Sequence, residues 1–261
     1  MSQSWAVISG KGGVGRSVIS AGLSACIGAR IPECCCMDTV SGMRDLDLLL
    51  GLQSLAVYDA MDVVNGLCSP GDALLPDPEI PGMLLLPAPQ SAGPLSREQL
   101  CLLAARLKKR CGYVFMDTPA GMGGLPAALA ADRILLVTTA DDVSLRDSER
   151  IISALRDAGA PAPYLAVNRV VPALVRSGRM YDPVTAAREL DLPLLGYIPE
   201  DAAAGRRQRA FMHADTPMGR ALERIAQRIL GSRVPMPDPR GFRSRGLARK
   251  METEEADAET W

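Results

Sequence analysis

Short apolar runs alternate along the chain with longer segments in which apolar residues recur at helical spacing. Helical spacing marks 17–29, 96–109, 143–158 and 217–230. The apolar runs cover 5–9, 34–38, 83–87, 113–117, 133–138, 164–168 and 194–199. Continuous apolar runs are typical of strands buried on both faces, and their alternation with helices indicates a parallel sheet. We therefore predict an α/β fold with a doubly wound, mostly parallel sheet flanked by helices.

Length and composition favour one large domain. The 261 residues are 48% hydrophobic and 23% charged, which suits a single substantial core. The helical pattern fails near Ser232, where a Pro- and Gly-rich stretch leads into basic and then acidic residues. We predict a domain over 1–232 and a mobile tail over 233–261. The chain shows neither a signal-peptide pattern nor an apolar run of about 18 residues, so we expect a cytoplasmic protein.

Charge, cysteine and histidine usage argue against several other classes. A net charge of −1 and a pI near 6.0 give no basic field for nucleic acid, so no nucleic-acid partner is expected. The seven cysteines lack CxxC spacing, and we expect buried, reduced thiols. His213 is the only histidine, and its sequence neighbours offer no further metal ligands.

The segment 5–20 places a hydrophobic strand, a Gly-rich loop and a helix start in the order of a phosphate-binding loop. Glycines let backbone N–H groups approach an anion, and the helix adds its dipole. Ser17 stands where such loops bind Mg²⁺ through a hydroxyl, and Arg16 stands where a cation reaches the β and γ phosphates. The predicted nucleotide-binding residues here are Gly10, Lys11, Gly12, Gly13, Val14, Gly15, Arg16, Ser17 and Val18. The alternative is a Gly-rich turn without a ligand.

Lys11 lies upstream of Arg16, the position of the usual phosphate-binding cation, and narrows the class of P-loop protein. With it, GKGGVGRS resembles the deviant Walker A motif of the MinD/ParA family of P-loop ATPases, and in particular its MinD branch. Further similar segments lie at 37–52, 86–91, 117–121, 143–151, 167–169 and 196–201, so the resemblance covers about 4–230. It implies ATP and Mg²⁺ as cofactors, and an ATP-dependent homodimer across which Lys11 contacts phosphate. It also implies a switch in division-site selection or related positioning, with a regulatory protein partner of the MinC type.

Two aspartates each end a hydrophobic run. Asp117 resembles the Walker B carboxylate that holds Mg²⁺, and Asp38 ends an earlier run in a comparable position. From the residues alone, both are also open to interpretation as strand-end carboxylates that cap nearby turns. The resemblance implies the catalytic residues Lys11, Arg16 and Asp38, and the metal ligands Ser17 and Asp117. For the adenine base it implies Asn168, with Pro199, Glu200 and Asp201 bordering it.

Two positions depart from the family pattern. Where the MinD branch has a second acidic residue that orients water, this chain has Val40, and loss of such a group typically costs about 10² to 10⁴ in rate. Arg16 replaces a compact ammonium by a broad planar fork. We therefore expect a slow ATPase with weakened or reshaped nucleotide binding. Two alternatives stay open, namely that the changes compensate each other, and that the chain is a non-hydrolysing scaffold acting through protein contacts.

The tail departs from the family as well. MinD proteins end in a basic amphipathic helix that lies on the membrane. Here Phe242, Leu247 and Met251 are the large apolar residues of that segment, Gly246 interrupts it, and five acidic residues follow. Two interpretations of the tail are open: it makes weak contact with the inner face of the membrane, or it is solvated. A ParA-type partitioning ATPase would need a basic DNA-binding face and an iron–sulfur carrier a CxxC pair, and the sequence shows neither.

Overall fold

A computed structural model describes residues 2–42, 45–90, 93–201, 209 and 215–241. The strands are β1 Gln3–Ile8, β2 Cys34–Asp38, β3 Leu75–Pro76, β4 Met83–Leu86, β5 Tyr113–Asp117, β6 Arg133–Thr139, β7 Tyr164–Val170 and β8 Leu194–Pro199. The helices are α1 Arg16–Gly28, α2 Asp45–Leu50, α3 Ala60–Asn65, α4 Pro70–Ala73, α5 Arg97–Leu107, α6 Leu125–Ala130, α7 Asp142–Asp157, α8 Pro172–Arg176, α9 Pro183–Glu189 and α10 Pro217–Ile229, with a 3₁₀ turn at Gly121–Gly124.

The strands form one sheet in the order β3-β4-β2-β5-β1-β6-β7-β8. Among the strands of the described residues, only β3 runs antiparallel, against β4. Because β2 lies on one side of β1 and β6 on the other, the direction of winding reverses about β1, which is where open α/β sheets bind ligands. The predicted fold class is confirmed. The antiparallel β3 was not predicted, since two residues carry no periodic pattern.

Each central strand divides its side chains between two apolar layers. Trp5 and Val7 of β1 pack in the layer under α1 and α10, while Ala6 and Ile8 pack in the layer under α5, α6 and α7. The consecutive cysteines of β2 obey the same alternation, with Cys35 on the opposite face from its two neighbours. All seven thiols are free; Cys34, Cys35, Cys36 and Cys111 are buried as expected, whereas Cys26 and Cys68 are only partly buried and Cys101 is exposed.

Helix starts coincide with polar caps that the sequence shows. Ser96 caps α5 and forms a reciprocal capping box with Gln99. Asp141 caps α7 by accepting from the Ser144 N–H at 3.0 Å, and Thr216 caps α10. These caps fix where the helices of the two layers begin, close to the predicted starts.

Residues 233–241 pack on the domain, beyond the boundary predicted at residue 232. The Arg228 guanidinium donates to the Val234 carbonyl through Nε at 2.9 Å and to the Leu195 carbonyl through Nη1 at 2.7 Å. Arg176 donates to the Arg240 carbonyl at 2.6 Å. Because α10 and α8 both hold this segment, the first part of the predicted tail belongs to the domain.

Several expectations concern positions outside the described residues. They include His213 and the tail residues Phe242, Gly246, Leu247 and Met251. Within the described part of the chain, the helices are too short or too polar to cross a bilayer.

Candidate nucleotide-binding site

The Gly-rich loop lies between β1 and α1, at the carboxyl edge of the sheet. Gly15 caps α1 with φ +91° and Gly13 has φ +76°, a left-handed backbone that favours glycine. A Cβ on Gly15 would also lie 2.4 Å from Nδ2 of Asn168. The loop thus has the backbone of an anion cradle at a helix N-terminus, as predicted.

Neighbouring elements fix the start of this loop. A Cβ on Gly10 would lie 2.4 Å from both the carbonyl carbon and oxygen of Asp147, so α7 packs directly on the loop. The Gly121 N–H donates to the Ser9 carbonyl at 2.8 Å, which ties the loop to the segment after β5. Gly12 has open space around it, and the adjacent Lys11 is exposed. Lys11 therefore projects from a fixed loop into solvent, where its charge acts favourably on Asp141.

Arg16 is turned inward instead of outward. Its Nη1 donates to the Ser9 hydroxyl at 2.6 Å, and its Nε lies 3.4 Å from Oδ1 of Asp117. The side chain is 12% exposed. The guanidinium thus bridges the first residue of the loop and the carboxylate at the end of β5.

Asp117 is a buried carboxylate surrounded by donors. The Ser20 hydroxyl donates to its Oδ1 at 3.0 Å, and the Ser17 hydroxyl lies near enough to lower its pKa. Burial raises the pKa of Asp117, while the Arg16 charge and the two hydroxyls oppose that rise. The predicted metal ligands Ser17 and Asp117 are therefore adjacent, as a shared Mg²⁺ site requires. Ser20 was missed by the sequence analysis, although its i,i+3 spacing from Ser17 places it on the same face of α1.

Asp38 lies beside Asp117 on the neighbouring strand, in register with it. Its Oδ1 accepts from the Val40 N–H at 2.9 Å and its Oδ2 from the Leu46 N–H at 3.4 Å. Burial raises the pKa of Asp38 to about 7, against the lowering effect of these backbone hydrogen bonds. Asp38 thus braces the turn into α2, which matches the capping interpretation, and its titration near neutral pH is also what proton transfer needs.

Thr39 is a further buried contact that the sequence analysis did not single out. Its hydroxyl donates to the Asp117 carbonyl at 2.6 Å. The contact fixes the segment after β2 against the end of β5. Val40 follows with a partly buried apolar side chain, so this position offers backbone but no side-chain acceptor to the site.

Asn168 reaches the loop from the end of β7. Its Nδ2 donates to the Val14 carbonyl at 2.7 Å, and the residue is 1% exposed. Within the described part of the chain, no donor reaches its buried Oδ1. A buried acceptor without a donor costs stability, and the amino group of adenine is a donor of the required kind. The geometry fits the predicted contact with a base.

The segment after β8 has structural contacts of its own. Glu200 is half-exposed and pairs with Arg169 at 3.9 Å. Oδ2 of Asp201 accepts from the Met218 N–H in the first turn of α10 at 3.4 Å. Pro199 pairs with Val170 across β7 and β8 at a register shift. These contacts place 199–201 beside β7, the strand that carries Asn168, and the role of 199–201 at the base remains a prediction.

Val18, the last of the nucleotide-binding residues predicted in the loop, is partly buried and packs against the layer under α1.

Comparison with known proteins places this site in a family. No family model matches the chain. It is 33% identical over 246 residues to the septum site-determining protein MinD of Bacillus subtilis, covering 90% of this chain and 92% of the relative. The MinD of Helicobacter pylori is 34% identical, with coverage of 87% and 90%. The chain belongs to the MinD family.

Solved structures agree with this membership. A MinC:MinD cell division protein complex from Aquifex aeolicus matches with a TM-score of 0.83 and 27% identity, covering 90% of this chain and 98% of that one. MinD complexed with Mg-ADP from Pyrococcus horikoshii has the same fold, with a TM-score of 0.75 at 23% identity. The resemblance to the MinD branch, which Lys11 and the similar segments along the chain indicated, is confirmed. In this MinD-family fold, the loop, Asp38, Asp117 and Asn168 meet at one edge of the sheet.

Proposed function

We propose that this MinD-family chain binds ATP at the Gly-rich loop, dimerises through the face that carries Lys11, and serves division-site selection as a slow ATPase. One observation carries the proposal. Lys11 is exposed on a loop whose neighbours Gly10 and Ser9 are fixed by α7 and by the segment after β5. An exposed cation on a fixed loop is suited to reach a phosphate held by a second copy.

Apolar side chains near Lys11 support a protein contact at this face. Met122 follows Gly121, which is bonded to the loop, and Val143 lies in the first turn of α7; each is 58% exposed. Exposed apolar groups beside a projecting cation favour association with another surface. The second copy proposed here would cover them when both loops hold ATP.

The loop fits a nucleotide on its own geometry. The left-handed glycines leave the backbone free to approach phosphate, and the buried acceptor of Asn168 matches an adenine amino group. Ser17 and Asp117 supply hard oxygen atoms of the kind that Mg²⁺ prefers. A bound Mg²⁺ would offset phosphate charge. Arg16 already pairs with Asp117, so the fit to the metal is weaker than the fit to the nucleotide.

Slow hydrolysis follows from the residues around the phosphate position. Val40 has no oxygen with which to orient water. Asp38, two residues before Val40, has both oxygens engaged by backbone N–H groups. A missing general base typically costs about 10² to 10⁴ in rate. A non-hydrolysing scaffold is the second candidate, and the Arg16–Asp117 ion pair favours it because it engages the metal-binding carboxylate.

The proposal also includes a protein partner and a contact with the membrane surface. The Aquifex protein is a MinC:MinD complex, and we propose a MinC-type regulatory partner for this chain. Peripheral contact with the inner face of the membrane would come from the basic residues after Gly241, which lie outside the described part of the chain.

Phosphate release by the purified chain with ATP and Mg²⁺ tests the chemistry. Val40→Asp is expected to raise turnover by about tenfold or more, at the lower end of what a general base contributes. Val40→Asn, which has the same shape without the charge, is the matched control and should stay at the wild-type rate. Equal rates for all three proteins, with ATP bound, would favour the scaffold.

A further inference from the structure

The guanidinium of Arg16 occupies a defined position between the loop and the end of β5. It is fixed at two points, by the 2.6 Å hydrogen bond to the Ser9 hydroxyl and by the 3.4 Å approach to Asp117. With 12% of the side chain exposed, the charge is largely withdrawn from solvent. Such a pair is screened much less by salt than a surface pair.

An arginine suits this bridge better than a lysine would. The planar fork offers donors in several fixed directions, whereas an ammonium is a single point charge on a flexible stem. Nη1 therefore donates to Ser9 while Nε, which makes no hydrogen bond among the described residues, lies in ion-pair contact with Asp117. A lysine at the same position would have to choose one acceptor or turn toward the phosphates.

Asp117 consequently has a protein cation and a hydroxyl donor before any ligand binds. The Ser20 hydroxyl donates to it at 3.0 Å, and the Ser17 hydroxyl acts to lower its pKa. A divalent ion that approached the same carboxylate would meet the fixed positive charge of Arg16 at short range, and like charges at such distances repel. The favourable interaction that Asp117 ordinarily offers to Mg²⁺ is thereby reduced.

We infer that Arg16 acts as a built-in cation beside Asp117, so that this chain binds nucleotide with little dependence on Mg²⁺. The inference rests on the proposed function, because it presumes that nucleotide binds at this loop. The backbone N–H groups of the loop and the α1 dipole would then hold the phosphates. Arg16 is here a positioning and specificity-determining residue, which sets how far the metal contributes.

Titration with a fluorescent ADP, with excess Mg²⁺ and separately with EDTA, tests this directly. For the wild-type chain the two dissociation constants should differ by less than about threefold. In Arg16→Lys, EDTA should weaken binding by about tenfold or more, the scale of one charge-assisted contact. Arg30→Lys is the matched control, since Arg30 lies just past the other end of α1 and pairs with Glu223; it should behave as the wild type.

A second variant covers the case in which Arg16→Lys does not fold, as judged by circular dichroism and thermal unfolding. Arg16→Gln removes the cation beside Asp117 while keeping a polar side chain, so a Mg²⁺ dependence should emerge there too. The inference is overturned if EDTA weakens wild-type binding by about tenfold or more, or if neither variant gains dependence; in both cases nucleotide binding itself stands. Absence of ADP and ATP binding under both conditions would instead overturn the proposed function.

Discussion

Replacing Asn168 by alanine is expected to abolish discrimination between ATP and GTP. The side chain is almost fully buried. Its Nδ2 donates to the Val14 carbonyl, and its Oδ1 is a buried acceptor that receives no hydrogen bond from the described residues. The amino group of adenine supplies that donor, whereas the oxygen at the same position of guanine is another acceptor. We therefore expect the wild-type chain to prefer ATP.

The size of the preference follows from the cost of an unsatisfied buried group. That cost is about 1–3 kcal/mol, which corresponds to roughly 5- to 150-fold in affinity. Asn168→Ala removes the acceptor, so the two dissociation constants should converge. Loss of the hydrogen bond to Val14 should also lower the free energy of unfolding by about 1 kcal/mol.

Competition between a fluorescent ATP analogue and unlabelled ATP or GTP measures the preference. Asn65→Ala is the control, because Asn65 is the only other asparagine in the sequence and is exposed at the end of α3. Equal affinity of the wild-type chain for ATP and GTP, or a preference that persists in Asn168→Ala, would show that Asn168 serves only to brace the loop.

Two further predictions concern stability. Gly10→Ala should destabilise the fold by about 1–3 kcal/mol, because its Cβ would meet the Asp147 backbone at 2.4 Å, while Gly12→Ala, with open space around it, should leave the urea midpoint nearly unchanged; equal midpoints would contradict the packing of α7 on the loop. Burial raises the pKa of Asp38 to about 7, so the folded state holds a proton that the unfolded chain has lost. Stability should then fall as pH rises from about 4 to about 7, by up to about 4 kcal/mol, and level off above pH 7. Urea midpoints across this range should show that slope in the wild-type chain and a smaller one in Asp38→Asn; a slope of the opposite sign would refute the assignment.

The sequence predicted most of the sheet because its strands are buried on both faces. Such strands appear as uninterrupted apolar runs, and the alternation of Cys34, Cys35 and Cys36 between two layers shows why even three consecutive cysteines suit β2. The short β3 lacked any periodic signal. The Pro-rich stretch was interpreted as the beginning of a tail, because contacts such as those of Arg228 with Val234 and Leu195 leave no local pattern.

The residues of the site could be predicted from the sequence, but the contacts between them could not. Motif spacing identified the loop, Asp117 and Asn168 as candidates. It could not show that Arg16 faces Ser9 and Asp117 instead of solvent, since that depends on strands distant in sequence. Nor could it show that Gly10 is required by contact with α7. Such contacts arise only when the sheet brings separate segments together.

ATP-dependent dimerisation tests the central claim most directly. Light scattering coupled to size-exclusion chromatography would measure the mass of the wild-type chain with ATP and with ADP, beside Lys11→Ala and the control Lys109→Ala, an exposed lysine past the end of α5. The account predicts a dimer with ATP for the wild-type and Lys109→Ala chains, and monomers with ADP and for Lys11→Ala. An ATP-bound wild-type chain that remains monomeric, or a Lys11→Ala chain that still dimerises, would contradict it.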